Sequence, residues 1–425
     1  MSKVTPLAEA GAGQGDNSIS AFDVDKVRAD FPILGREIYG KPLTFLDSGA
    51  SAQKPRAVID CVREAYETYY SNVHRGAHYL SQRSTDAFEE ARVTVARHIN
   101  AASDNEIVFT SNVTEAVNLV AATWGRKFLS AGDEVIISEM EHHANIVPWQ
   151  LLREEKGIVL KIAPIRDNGE FVLADFEACL GPKTKLVAIT ACSNVLGTRV
   201  PIKDVTRLAH AQGVPVFVDG AQSVVHQSVD VQDLDCDFFA FTGHKLYGPS
   251  GIGVLYGKWD VLSEMPPYQG GGDMIERVTF EKTTFQEPPH RFEAGTPPIV
   301  QAIGLGAAIN YVNDLGMDNI AAHEHGILAY AMERLTAIDG FQAVGTAPDK
   351  AAIISFLVDG LHPFDVAAVL DRQGVAVRVG QHCAEPLMDR LGIEGTVRAS
   401  FGLYNSRADV DTLAAAIEKA KEMLS

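Results

Sequence analysis

Between residues 107 and 256, short runs rich in β-branched and aromatic residues recur, separated by longer stretches with helical spacing. The runs Ile107–Thr110, Glu134–Ile137, Val159–Ala163, Lys185–Thr190, Val214–Asp219, Asp237–Phe241 and Ile252–Tyr256 are four to six residues long, the length of a strand rather than of a helix. Helical stretches such as Glu115–Thr123 and Lys203–Gln212 lie between them, the second closed by Gly213, which suits the left-handed position after a helix. Strands that alternate with helices are joined most simply as parallel neighbours with crossover helices. The pattern therefore predicts an α/β fold with a largely parallel sheet over about residues 40 to 295.

After Pro298 the rhythm changes to longer helices around a few strands, Ala352–Val358 and Gly374–Val379 among them, which reads as a second, smaller α+β lobe. Its last helix is expected to start at Ser406 as N-cap, with Asp409 three residues on as in a capping box. Val410, Leu413, Ile417, Ala420 and Leu424 would then share one face. The first 20 residues are rich in Gly, Ala and Ser, and a disordered tail is expected there. The domain reading is a tail over 1–20, a large domain over 36–298, and a small domain made of 21–35 and 299–425. A chain of 425 residues accommodates two such lobes with one site between them.

Charge and cysteine usage exclude several functions. Thirty-seven Lys and Arg against 55 Asp and Glu leave a net charge of −18, without the basic stripe that a nucleic-acid partner requires. There is no apolar run of about 18 residues, and Met1–Ser20 lacks the basic start and apolar stretch of a signal peptide. No membrane partner and a cytoplasmic location are expected. Cys61, Cys179, Cys192, Cys236 and Cys383 are scattered, odd in number and without a CxxC pair, which suits neither a disulfide framework nor a zinc site. The adjacent His142 and His143 lack metal-ligand spacing on a helix, so no metal is expected.

The chemistry concentrates in FTGHKLYGPSGIG, residues 241–253, where Lys245 follows a strand end among Gly243, Gly248, Gly251 and Gly253. Such glycines let a backbone approach a ligand closely. In residues 216–222, VFVDGAQ, an apolar strand ends on Asp219. Ligands of α/β sheets sit beyond the carboxyl ends of the strands, so Lys245 and Asp219 can face one pocket. An acid there can keep a pyridinium nitrogen protonated, as a pyridoxal-phosphate site requires. Residues 109–121, FTSNVTEAVNLVA, read as a strand, a polar turn and a helix whose first N–H groups suit a phosphate.

Eight motifs in order, NVHRGAH (72–78), EHHANIVPWQ (141–150), SNVLGT (193–198), VDGAQ (218–222), GHKLYGPSGIG (243–253), RFEAGTP (291–297), RVGQHCAEPLM (378–388) and VRASFGLYN (397–405), carry a resemblance. From about Phe22 onward the chain resembles the Suf-type (group II) cysteine desulfurases of the class V, fold-type I pyridoxal-phosphate enzymes. The resemblance implies a large domain with a mostly parallel seven-stranded sheet and a smaller α+β domain. It implies conversion of L-cysteine to L-alanine, with a persulfide left on Cys383 as sulfur for iron–sulfur cluster assembly. It also implies a homodimer and a small sulfur-acceptor protein (SufE- or SufU-like) as partners.

Residue by residue, the resemblance has Lys245 holding pyridoxal 5'-phosphate covalently, Asp219 pairing with the pyridine nitrogen and His142 stacking on the ring. Gln222 bonds the phenolic oxygen with Asn194 near the same edge. Thr114, Thr242 and His244 hold the phosphate, and Thr296 reaches the phosphate of the other subunit. Arg398 clamps the substrate carboxylate, a bidentate task that suits a guanidinium, with Arg378 and Asn194 beside it. Lys245 then serves as base and acid, and Cys383 attacks as a thiolate. A free thiol, with a pKa of about 8.5, is only slightly ionised at neutral pH. Arg378 and His382, close in sequence, are expected to help. Two positions depart from the pattern: Val113 stands where a second Thr commonly precedes Thr114, and Gln381 replaces the first His of HHCA. Selenocysteine lyase or cysteine sulfinate desulfinase activity is the alternative within the family. Kynureninase-like or aminotransferase-like enzymes, and a binding module without catalysis, are further rivals.

Overall fold

The computed structural model describes residues 22–424, so the tail expected over residues 1–20 lies outside the described residues. Its principal helices are α1 (Val24–Ala29), α2 (Arg56–Glu64), α3 (Tyr79–His98), α4 (Val113–Val120), α5 (Ile202–His210), α6 (Ile299–Leu315), α7 (Met317–Thr336) and α8 (Arg407–Leu424). The larger sheet has seven strands: β1 (Ile107–Thr110), β2 (Glu134–Ser138), β3 (Val159–Ala163), β4 (Thr184–Thr190), β5 (Val216–Asp219), β6 (Phe238–Thr242) and β7 (Gly253–Gly257). They lie in the order β1–β7–β6–β5–β4–β2–β3. Every expected strand of this region is present, two with the expected ends and the other five with ends shifted by one or two residues.

Strand β7 runs antiparallel to both of its neighbours, while β6, β5, β4, β2 and β3 pair in parallel. The reason is local. Residues 243–252 between β6 and β7 are too few for a crossover helix, so the chain must turn straight back. That tight return is the loop that carries Lys245.

Successive residues along the strands feed two apolar cores, one on each face of the sheet, as strand geometry requires. Phe109, Ile136, Val187, Val218 and Phe241 belong to one, and Val108, Val135, Leu186, Phe217 and Ala240 to the other. Helix α6 packs on α2 and α3, and its Ile299, Ile303, Leu305 and Ile309 join the first of these cores. The change of rhythm after Pro298 therefore does not itself open the second lobe's core. That core is reached by the second half of α7, from Ile327 onward.

The second sheet holds β8 (Phe341–Val344), β9 (Ile353–Val358), β10 (Arg378–Gly380) and β11 (Thr396–Ser400), all antiparallel, in the order β8–β9–β11–β10. The single strand expected over Gly374–Val379 is instead two pieces, because each pairs with a different partner. Val375–Ala376 lies parallel to Thr44–Phe45, and β10 lies beside β11. In α8 the Asp409 carboxylate accepts the Ser406 N–H at 2.9 Å, which is half of a capping box, and it also pairs with Arg28 of α1 at 3.1 Å. Val410, Leu413, Ile417 and Ala420 are buried, whereas Leu424 is exposed at the helix end.

Candidate active site

Strands β4, β5 and β6 end side by side at Thr190, Asp219 and Thr242, and all three residues line one cavity of about 320 Å³. Arg378, His382, Cys383 and Arg398 line it from the smaller lobe. Of the residues singled out in the sequence, Thr114, His142, Asn194, Asp219, Gln222, Thr242, His244, Lys245, Arg378, Cys383 and Arg398 all meet there; Thr296 does not.

Lys245 sits in the return between β6 and β7, which the bonds Gly243 N–H to Ile252 O and Gly248 N–H to Gly243 O close tightly. The loop is also tied to residues 51–54. The His244 carbonyl accepts from the Ala52 N–H at 3.1 Å and from Lys54 Nζ at 2.9 Å. Lys245 makes no ion pair among the described residues. Burial lowers its pKa to about 8 against the opposing pull of Asp219, so Lys245 is still mostly protonated at pH 7 but gives up its proton far more readily than a solvated lysine. Asp219 is buried, which raises its pKa, and its Oδ1 accepts the Ala221 N–H at 2.9 Å.

His142 accepts the Ala144 N–H on Nδ1 at 3.0 Å. Burial, with Lys245, His143 and Arg398 nearby, pushes its pKa down to about 4, so the ring is neutral. His244 is likewise pushed to about 4 by burial and then by Lys245 and Lys54. Gln222 donates from Nε2 to the Gly49 carbonyl at 2.9 Å. At the other end of the cavity, the N-cap of α4 is Asn112, whose Oδ1 accepts the Glu115 N–H at 2.9 Å. Thr114 is exposed in the first turn. A Cβ on Gly253 would come within 2.5 Å of Asn112 Cα, so only glycine in β7 lets this helix start approach the sheet so closely. Val113 lies buried in the apolar core under α4.

Cys383 is exposed, and with His382 it occupies the left-handed region at φ +57° and +55°. Two bonds from the large lobe hold these residues there. Asn194 Nδ2 donates to the His382 carbonyl at 2.8 Å, and the His143 N–H donates to the Cys383 carbonyl at 2.7 Å. The expectation that His382 helps to ionise the thiol is not met. His382 is buried and bonded through Nε2 to Thr396 Oγ1 at 2.8 Å, and burial and Arg398 push its pKa to about 3, so it carries no charge at neutral pH. Lys245, Arg378 and Arg398 line the same cavity as Cys383.

Arg398 on β11 and Arg378 on β10 are cross-strand partners, a like-charge pairing that needs compensation. Asp47 supplies it. Its carboxylate takes Arg378 at 2.7 and 3.3 Å and Arg398 at 3.4 Å. Arg398 also donates to the Asn194 carbonyl at 3.0 Å, while its buried Nε has no partner among the described residues. Asp47 and His143 were missed in the sequence. Asp47 offers no signal beyond an acid before Ser48 and Gly49, and His143 was read only for metal spacing. Thr296 is exposed on the turn whose Gly295 and Pro297 line a second cavity with His74, Arg75, Asp273 and Glu293.

A half-buried lysine in a tight return, a buried acid at the neighbouring strand end and a helix start facing the same cavity define a fold-type I pyridoxal-phosphate enzyme. Residues 44–413 match the family described as aminotransferase class-V, and the chain belongs to that family. Within it, the relatives are cysteine desulfurases. One from Dickeya dadantii is 51% identical over 96% of this chain and 98% of its own length. A probable cysteine desulfurase 1 from Mycobacterium leprae is 50% identical over 95% of this chain, which spans 66% of that protein's length. The apo structure of a cysteine desulfurase from Thermococcus onnurineus superposes with a TM-score of 0.89 at 40% identity, covering 94% of this chain and 98% of that one.

The residues present fit the cofactor this family uses. Asp219 offers a buried carboxyl to a ring cation, Lys245 a readily deprotonated amine to an aldehyde, and the start of α4, with the close approach at Gly253, a seat for a phosphate.

Proposed function

We propose that this protein is a cysteine desulfurase, which converts L-cysteine to L-alanine, leaves the sulfur as a persulfide on Cys383 and supplies it for iron–sulfur cluster assembly. The observation that carries the reading is an exposed thiol on a strained turn, clamped from the opposite lobe, lining the same cavity as the half-buried Lys245. When bound, pyridoxal phosphate supplies an electron sink that acidifies the α-hydrogen of an amino acid and weakens bonds at the next carbon.

In this reading Lys245 holds the cofactor covalently and, once released, moves the proton at the substrate α-carbon, a task for which a pKa of about 8 suits it. Asp219 pairs with the ring nitrogen, and the neutral His142 lies on the ring face. Gln222 and Asn194 serve the phenolic edge. Thr114, Thr242 and His244 hold the phosphate, with Thr296 contributed by the partner subunit of a homodimer. Arg398 binds the substrate carboxylate, with the unpartnered Nε free to donate, and Arg378 and Asn194 stand beside it. Cys383 attacks the substrate sulfur as a thiolate. The new sulfur–sulfur bond forms as the carbon–sulfur bond breaks, and the electron pair of the broken bond stays with carbon, which is then protonated to give alanine.

A small acceptor protein (SufE- or SufU-like) would take the persulfide sulfur from the exposed turn. We place the enzyme in the cytoplasm, a reading supported by the absence, among the described residues, of any helix long and apolar enough to cross a membrane. Incubation with cysteine is expected to yield alanine and a mass gain of one sulfur atom on the peptide containing Cys383. Cys383→Ser is expected to keep cofactor binding and lose alanine formation; unchanged alanine formation in that variant would sink the reading. The same variant assayed on selenocysteine separates a selenocysteine lyase, which would lose far less.

A further inference from the structure

Beside His142 in the chain lies a carboxylic acid that the chemistry above leaves without a task. Glu141 is 1% exposed, and among the described residues no cation pairs with it. Its Oε1 accepts from Ser138 Oγ at 2.5 Å and from the Thr190 N–H at 3.0 Å, and its Oε2 accepts from Asn145 Nδ2 at 2.8 Å. Asn145 in turn accepts the indole N–H of the buried Trp149 at 3.0 Å.

These bonds join two parts of the cavity wall that the chain brings from different strands. Ser138, His142 and Asn145 belong to the end of β2 and the turn after it. Thr190 ends β4, lines the cavity and stands in register with Asp219 on β5. Its hydroxyl bonds back to the Cys192 carbonyl, and the Ala191 N–H bonds the Asp219 carbonyl at 2.9 Å. Beyond the backbone pairing of β2 with β4, the side-chain link from the His142 turn to Thr190, and so to Asp219, passes through this carboxyl group. An apolar side chain at that point would leave the Thr190 N–H and the Asn145 amide buried without acceptors.

We propose that Glu141 is a positioning residue of the cofactor site, setting the ring face at His142 against the ring-nitrogen partner Asp219 by tying the turn of residues 138–145 to the Thr190 N–H. The proposal rests on the roles given to His142 and Asp219 above. Burial, and then the negative charge of Asp219, raise the Glu141 pKa to about 7, so below neutrality it is mostly protonated and braces the wall without a second full negative charge beside Asp219.

The test reads cofactor binding rather than sulfur release, so it stays decidable even if the desulfurase reading fails. Apoproteins of the wild type, E141Q and E141A are titrated with pyridoxal phosphate while visible circular dichroism reports the orientation of the bound ring. E141Q keeps an oxygen for the Thr190 N–H but sets its amide NH2 against the Asn145 Nδ2 donor, so it is expected to fall between wild type and E141A in both affinity and visible signal. E141A is expected to bind about tenfold more weakly or worse, with a reduced or inverted signal and an unchanged far-ultraviolet spectrum. Should E141A not fold, Asn145→Leu, which removes the donor to Oε2, is expected to change the visible signal in the same sense. Wild-type visible dichroism in the loaded E141A or Asn145→Leu protein would overturn the proposal, including the case where only the melting temperature of the apoprotein falls.

Discussion

At the scale of single residues, Asp47 decides what the two facing arginines can do. Without its carboxylate, Arg378 and Arg398 would repel across β10 and β11, and Arg398 would keep only its bond to the Asn194 carbonyl. Asp47→Ala is therefore expected to raise the KM for cysteine about tenfold, a loss of about 1.4 kcal/mol of carboxylate binding, while the visible absorbance of the bound cofactor stays unchanged. Alanine formation against cysteine concentration checks it. An unchanged KM would mean that Asp47 does not orient the substrate arginine.

Glu141 supports a prediction about pH. The folded chain holds its proton up to about 7, whereas a solvated glutamate releases it near 4.3. Between those values the unfolded chain binds fewer protons than the folded one, so the stabilisation from this group is complete below about pH 4, falls as pH rises and is gone above about 7. The melting temperature of the apoprotein is expected to fall, relative to that of E141Q, between pH 5 and pH 7.5. A constant difference between the two would contradict the raised pKa. Lys245, Asp219 and Cys383 were legible because each stands in a local pattern: a glycine-rich return, a strand end, an exposed turn. Asp47, His143 and Glu141 were not, because each also acts on a residue far along the chain, Arg398, Cys383 and Thr190 respectively, that only the fold brings near.

At the scale of elements, the strands of the larger sheet were readable because buried strands leave short, dense apolar runs. The antiparallel hand of β7 was not a matter of composition; it follows from the length of the loop before it. The split at Val377 was unreadable for a related reason, since pairing partners far apart in the chain decide where a strand breaks. Gly253 ties these elements to the site. Gly253→Ala would drive a methyl group into the Asn112 backbone at the start of α4 and displace the phosphate seat. The expected result is a destabilisation of about 1–3 kcal/mol together with markedly weaker cofactor binding. Denaturant unfolding and cofactor titration measure the two effects. Normal cofactor affinity in a folded Gly253→Ala protein would show that the close approach of β7 to α4 does not set the phosphate site.

At the scale of the molecule, the cavity is walled by both lobes, which is why its residues lie in separate stretches scattered along the chain. Thr296 alone among the expected residues stands outside it, exposed on a turn. If that turn completes the site of a second copy, subunits with defects at different positions must rescue each other. Lys245→Ala and Thr296→Asp homodimers are each expected to have lost most of their activity. In a mixed dimer, the site built on the Thr296→Asp chain has its own Lys245 and receives a normal Thr296 from the Lys245→Ala chain, so one site of the two is intact. Random reassortment makes about half of the dimers mixed, and the mixture is expected to recover about a quarter of the wild-type rate of alanine formation. Were Thr296 to serve the cavity of its own chain, every site in the mixture would carry a defect. Dissociated and reassociated subunits that show no recovery, with mixed dimers confirmed by mass, would then place Thr296 outside the partner's site.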